Sequence, residues 1–178
     1  SGTASDVLTI TGGINTASSS YTLTADAIKA MKIDGVISGD GRLTKTGNDT
    51  LALTATNTYT GLTTVSNGAI SVRTAAALGT AAGSTTVSSG AAVNIVGTLT
   101  VTEPFSLSGT GVGNGAIWIP STSGTTILSG VITTTAASRI NTDIASGTGT
   151  LTISGGVANT TGLTLGGVGD ITINSIIS

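Results

Sequence analysis

The stretch GRLTKTGNDTLALTATNTYTGLTTVSNGAISV, Gly41 to Val72, decides the fold. Leu51 and Leu53 alternate with Thr50, Ala52 and Thr54; Ile70 and Val72 alternate with Ala69, Ser71 and Arg73. Period-two alternation puts large apolar side chains on one side of a strand and small or polar ones on the other, the pattern of a half-buried strand. Gly41, the run Gly47-Asn48-Asp49, Gly61 and Asn67-Gly68 punctuate these strands. Gly and Asn accept positive φ, so the chain can turn sharply there at little steric cost. Asn67-Gly68 also suits a two-residue hairpin. Corners of the same character recur along the chain at similar spacing, however, and short strands between such corners fit stacked coils better than hairpins.

One combination in this stretch is specific. It runs Gly41-x-Leu43-Thr44-Lys45-Thr46-Gly47, Thr50-Leu51-x-Leu53, Asn57-Thr58-Tyr59-Thr60-Gly61, Thr63-Thr64-Val65 and Asn67-Gly68. It resembles the autotransporter-associated β-strand repeat of passenger regions in large bacterial surface proteins. The resemblance implies an all-β chain, a right-handed single-stranded parallel β-helix, exported and displayed at the bacterial cell surface. It departs from the family at Asp49, where Gly is usual. No membrane β-barrel follows, so by itself this chain is not a complete autotransporter.

The 178 residues suffice for one solenoid domain, residues 1–178, with a continuous core. Only 8% of residues are charged, whereas 38% are hydrophobic and mean hydropathy is +0.43, so the chain collapses rather than staying disordered. The net charge is −2, and Lys29, Lys32, Arg42, Lys45, Arg73 and Arg139 are scattered. That argues against nucleic acid, whose affinity comes mainly from neutralising phosphates. No apolar run approaches the ~20 residues that span a bilayer as a helix, and no membrane insertion is expected. Absence of cysteine agrees with an extracellular, secreted protein.

Outside the organising stretch, Thr24 to Ile33 reads as the one helix-like piece: Thr24 as cap, with Ala27, Ile28, Ala30 and Met31 as an apolar stripe. A short helix near 25–33, capping an end or lying along a side, is the expectation. Thr74 to Gly83 reads as a bulged corner or a short helical turn. Strands are expected around Val7–Thr11, Thr85–Val87, Ala92–Val96, Phe105–Leu107, Ala116–Ile119, Thr126–Leu128, Leu151–Ile153, Leu163–Leu165 and Ile171–Ile173. The sequence also echoes itself. Leu8-Thr9-Ile10-Thr11-Gly12-Gly13-Ile14 is matched by Leu151-Thr152-Ile153-Ser154-Gly155-Gly156-Val157. Ile33-Asp34-Gly35-Val36-Ile37-Ser38 is matched by residues 173–178 and by Leu128 to Thr133. At about 20–25 residues per coil the chain makes roughly eight coils. Two open ends would invite head-to-tail stacking, with copies of itself or with adjoining repeats of a longer chain.

Chemistry is sparse. Without His or Cys there is no imidazole triad and no zinc, copper or iron–sulfur ligand set, so no catalytic, cofactor or metal residues are assigned. Gly47-Asn48-Asp49-Thr50-Leu51 matches half of a calcium-binding nonapeptide, but it is not iterated, as shared ions between coils require. The acids, mostly beside Gly or Asn, read as turn or solvent residues. Trp118 lies between Ile117 and Ile119; if that pair faces inward, Trp118 faces out, where it either packs under a neighbouring loop or is the candidate surface contact for a glycan or a partner. The expected role is a non-enzymatic extracellular stalk, spacer or filament subunit. The alternative is an adhesin-type module for glycans or surfaces, and the least favoured reading is a polysaccharide-degrading enzyme.

Overall fold

The computed structural model describes residues 7–120, 124–144 and 148–178; within them the chain is strands, corners and turns, with no helix. Each coil has three sides, visited in the same order. The first side stacks eight strands: β1 (Leu8–Ile10), β4 (Met31–Ile33), β7 (Thr50–Leu53), β9 (Gly68–Val72), β11 (Ala91–Ile95), β14 (Ile117–Ile119), β17 (Ser138–Thr142) and β20 (Leu163–Gly167). The second side carries β2 (Ile14–Asn15) with β5 (Ile37–Ser38), and further along β12 (Thr100–Val101), β15 (Thr126–Leu128), β18 (Thr150–Ile153) and β21 (Asp170–Ile173). The third side stacks β3 (Thr22–Asp26), β6 (Arg42–Thr46), β8 (Thr63–Val65), β10 (Thr85–Val87), β13 (Phe105–Leu107), β16 (Ile132–Thr134) and β19 (Val157–Asn159).

All pairs between these strands are parallel. The staircase expected from the corners is what forms. Asn67-Gly68 is a corner, not a hairpin: Gly68 has φ +63°, and Asn67 donates from Nδ2 to Oδ1 of Asn48 in the coil beneath at 2.6 Å.

Registration puts like residues on like. Met31, Leu51, Ile70, Val93, Ile117 and Ile140 form one column inside the first side, and Ile33, Leu53, Val72 and Ile95 form the next. These columns belong to a single cluster with Leu43, Val65, Val87 and Leu107 of the third side. Fully burying one such side chain contributes about 1.5–3 kcal/mol, so the core is a sum of coil-to-coil steps rather than one centre. Corner glycines allow the steps to close. A Cβ on Gly61 would lie 2.2 Å from the Gly41 carbonyl oxygen, and one on Gly83 would lie 2.6 Å from that of Gly61.

The expected helix over 24–33 does not form. Thr22–Asp26 is β3, paired residue for residue with β6, and Met31–Ile33 is β4. Burial alternates: Ala25 and Ala27 are buried, whereas Ile28 is 79% exposed. A ten-residue helix has little stability of its own, and stacking on the next coil offers every backbone group a partner. Residues 74–83 are turns, with Ala77 N–H on the Thr74 carbonyl (3.2 Å) and Gly79 N–H on that of Ala76 (3.2 Å), the corner alternative of the sequence reading.

The internal echo is real in sequence but does not repeat position. Leu8–Ile10 lies on the first side and Leu151–Ile153 on the second. Ile33 to Ile37 turns from the first side to the second, whereas Leu128 to Ile132 turns from the second to the third. What recurs is a strand–corner–strand cassette, usable at more than one side. Gly35 sits over Gly12, and Gly155 over Gly130, so tightly that a Cβ would meet the carbonyl oxygen below at 1.9 and 2.2 Å.

Candidate functional site

Buried polar groups show how the 41–72 stretch works. Asn57, 2% exposed, sits on the second side where no strand forms between β5 and β12. Its Oδ1 accepts from Ile37 N–H at 2.8 Å and its Nδ2 donates to the Ala77 carbonyl at 2.5 Å. One side-chain amide thus links the coil on either side, in place of a ladder. Lys45 is fully buried, and its ammonium donates to the carbonyls of Thr46 (2.6 Å), Gly47 (2.9 Å) and Asn67 (3.0 Å). Burial pulls its pKa below the ordinary lysine value, against the attraction of Asp26 and Asp49.

A second polar cluster lies where Thr63 and Thr85 stack in register. The Tyr59 hydroxyl and Thr63 Oγ1 are 2.7 Å apart, and Thr85 Oγ1 donates to Glu103 Oε1 at 2.8 Å. Burial raises the Tyr59 phenol above its usual pKa and pushes the Glu103 carboxyl up to about 7, which the Thr85 bond opposes. Glu103 is 4% exposed, contrary to its reading as a turn or solvent residue: Glu103-Pro104 leads into β13, and the side chain is buried rather than turned to water. Tyr59 is structural, as its place in the motif suggested.

Three aspartates, Asp26 at the end of β3 and Asp34 and Asp40 on corners, each accept from a threonine 20 residues on. Asp26 pairs with Thr46 (3.1 Å), Asp40 with Thr60 (2.9 Å), and Asp34 with Thr54. Lys32 lies 2.9 Å from Asp34 and, with the Thr54 bond, holds that carboxyl below the usual carboxylate range. Among the described residues no three acids converge on one point.

The outer surface of the first side carries the one exposed aromatic feature with a pre-set geometry. Ile117 and Ile119 are buried, and Trp118 between them points out and is half-buried, the orientation that alternation predicts. Its row in the register is Lys32, Ala52, Ser71, Asn94, Trp118 and Asn141. The indole Nε1 donates to Asp143 Oδ2 at 2.8 Å, one coil on, and Asp143 Oδ1 accepts from Asn141 Nδ2 at 3.3 Å. Sequence reasoning missed that partner, because a separation of 25 positions along the chain hides the contact. Trp118 borders two hollows. A trough of about 620 Å³ runs away from it over the small residues Ala52 and Ser71, past Arg73. A smaller hollow of about 280 Å³ is floored by Ala69 and Ala92 and edged by residues 112–114. The loop above it holds Gly109, Gly111, Gly113 and Gly115, all at positive φ. Arg73 is exposed and, among the described residues, makes no ion pair, whereas Lys32 is engaged by Asp34.

Comparison with known proteins agrees with this picture. Residues 43–72 match the family model described as the passenger-associated-transport-repeat. Over 88 residues the chain is 39% identical to the protein named "Adhesin BmaC autotransporter" of Brucella suis biovar 1 (strain 1330). That stretch is 46% of this chain and spans 3% of the length of the relative. No solved structure matches. The buried Lys45, Asn57 and Tyr59 all fall within the matched segment, and the side chains of Lys45 and Asn57 there bond to neighbouring coils. Residues 43–72 of this parallel β-solenoid are thus similar to the passenger-associated-transport-repeat.

Proposed function

We propose that this chain is a stiff, non-enzymatic segment of a bacterial protein displayed outside the cell, and that its work is mechanical. The observation that carries the reading is the uninterrupted parallel stacking of eight strands on one side, with Lys45 and Asn57 linking successive coils elsewhere on the rod. Loads along such a rod are borne by many backbone hydrogen bonds between neighbouring coils. The passenger-type repeat and the relative named as an adhesin autotransporter support the setting. The end coils support lengthwise continuation: Leu8 is 58% exposed and Ile177 50%, whereas Leu51, stacked in the column of Leu8, is fully buried. Further coils on either end, from the same polypeptide or a second copy, would complete those columns. Electron microscopy combined with small-angle scattering of the purified chain tests this. Rods of about 35–40 Å, or end-to-end multiples of them, are expected from eight coils at ~4.8 Å; globular particles that never extend refute it.

A second reading is an adhesive face, favoured by the outward Trp118 and by a relative named as an adhesin. A solenoid can serve both ends: a rod that also presents a binding surface along one side.

A further inference from the structure

We propose that the trough on the first side binds an acidic polysaccharide, with the indole of Trp118 as stacking platform and the guanidinium of Arg73 as anion clamp. This rests on the adhesive reading and names its ligand class.

The shape fits a linear polymer. The trough is open, runs along the coil axis, and has small side chains as its floor, Ala52 and Ser71 among them. It offers no deep apolar pocket for the aromatic or aliphatic anchor that a protein partner inserts. Sugar rings, which combine an apolar face with a hydroxyl rim, suit a flat floor beside an indole and the polar groups of Thr50, Ser71 and Asn94.

The platform is preorganised. Asp143 fixes the indole edge, so the ring stands as a wall between the trough and the smaller hollow. Ordering it costs little on binding.

Charge selects the ligand. Arg73 is an exposed, unpaired cation on a chain of net charge −2, and its planar fork matches a carboxylate or sulfate. Lys32, the other cation of the trough, is held by Asp34. One free guanidinium is too few for a nucleic acid, which needs several phosphates neutralised. Register gives the spacing. Ser71, Asn94 and Trp118 share a row, so Arg73 lies two coils and two residues along the strand from Trp118. At ~4.8 Å per coil and ~3.3 Å per residue that is about 12 Å, a distance spanned by separate units of one oligosaccharide rather than by a single sugar.

The chain has one tryptophan, so its emission reports on this site. The full chain is titrated with a hexamer of galacturonic acid and, separately, with the uncharged hexamer of glucose. A saturable change in emission with the acid, at least tenfold weaker binding of the neutral hexamer, and at least tenfold weaker binding of the acid by Arg73→Gln are expected. Trp118→Phe, checked for fold by circular dichroism, keeps weakened binding by calorimetry. Equal affinity for both hexamers overturns the anion clamp; no response to either overturns the site. Emission that changes with protein concentration alone overturns the ligand in favour of a second copy. Beads coated with the chain separate the two levels. If wild type and Arg73→Gln attach equally to cell monolayers, the site is wrong and the adhesive reading survives; if wild type does not attach, the adhesive reading fails.

Discussion

Asn57→Ala is the most direct test of how the repeat holds its coils together. The native side chain supplies the acceptor for Ile37 N–H and the donor for the Ala77 carbonyl, and both of those residues are at most 1% exposed. Alanine leaves both backbone groups buried and unpaired, at about 1–3 kcal/mol each, so a loss of about 2–6 kcal/mol is expected. Stacked coils can open locally without global unfolding, which makes a urea midpoint alone a blunt measure. Amide exchange at Ile37 is the sharper one, because its hydrogen bond ends on the substituted side chain. Exchange there should accelerate by two orders of magnitude or more, about 2.8 kcal/mol at ~1.4 kcal/mol per tenfold. Asn57→Asp keeps the acceptor but points an anionic oxygen at the Ala77 carbonyl. It should therefore regain stability as the pH falls and the carboxyl protonates, which Asn57→Ala cannot do. Loss below ~1 kcal/mol with unchanged protection at Ile37 would refute the bridging role.

Leu53→Ala, in a column buried from coil to coil, should cost about 2–5 kcal/mol in urea unfolding, whereas Leu8→Ala at the exposed first coil should cost far less. Gly61→Ala must push its coil away from the Gly41 carbonyl and should be as damaging as a core truncation, read by thermal unfolding. Lys45→Met keeps the length of the side chain but strips three carbonyls of their donor; about 2–4 kcal/mol of destabilisation in urea is expected. Burial raises the Glu103 pKa to about 7, so the folded chain holds a proton that the unfolded chain releases at lower pH. Stability should fall as pH rises from the ordinary glutamate range through about 7, and Glu103→Gln should flatten urea midpoints measured at about pH 5 and about pH 8.

Strands were legible wherever large and small residues alternate, as at Leu51–Leu53, Ile70–Val72 and Ile117–Ile119, because period two is a local signal. The direction of Trp118 followed from the same rule. Thr24 to Ile33 misled because Ala27, Ile28, Ala30 and Met31 also fit a helical stripe; the choice was made by β6, a coil away in sequence. Long-range partners were not legible at all. Nothing near Lys45 announces that the Asn67 carbonyl lies above it, and nothing near Trp118 points to Asp143. Glu103 reads, with the other acids, as a turn or solvent residue, yet the hydroxyl that donates to it comes from the previous coil. In a solenoid the sequence spells each step, while the contacts that matter run at right angles to it.

The cassette Ile/Leu-x-Gly-Val-Ile, which turns the chain at two different corners, has a consequence for how such proteins lengthen. Copying a whole coil leaves every later surface pointing as before. Copying one cassette adds a single side, keeps the inner columns matched, and swings everything downstream a third of the way round the axis. A trough facing one direction would then be followed by others facing elsewhere, so a small duplication could re-aim a surface without disturbing the rod that carries it.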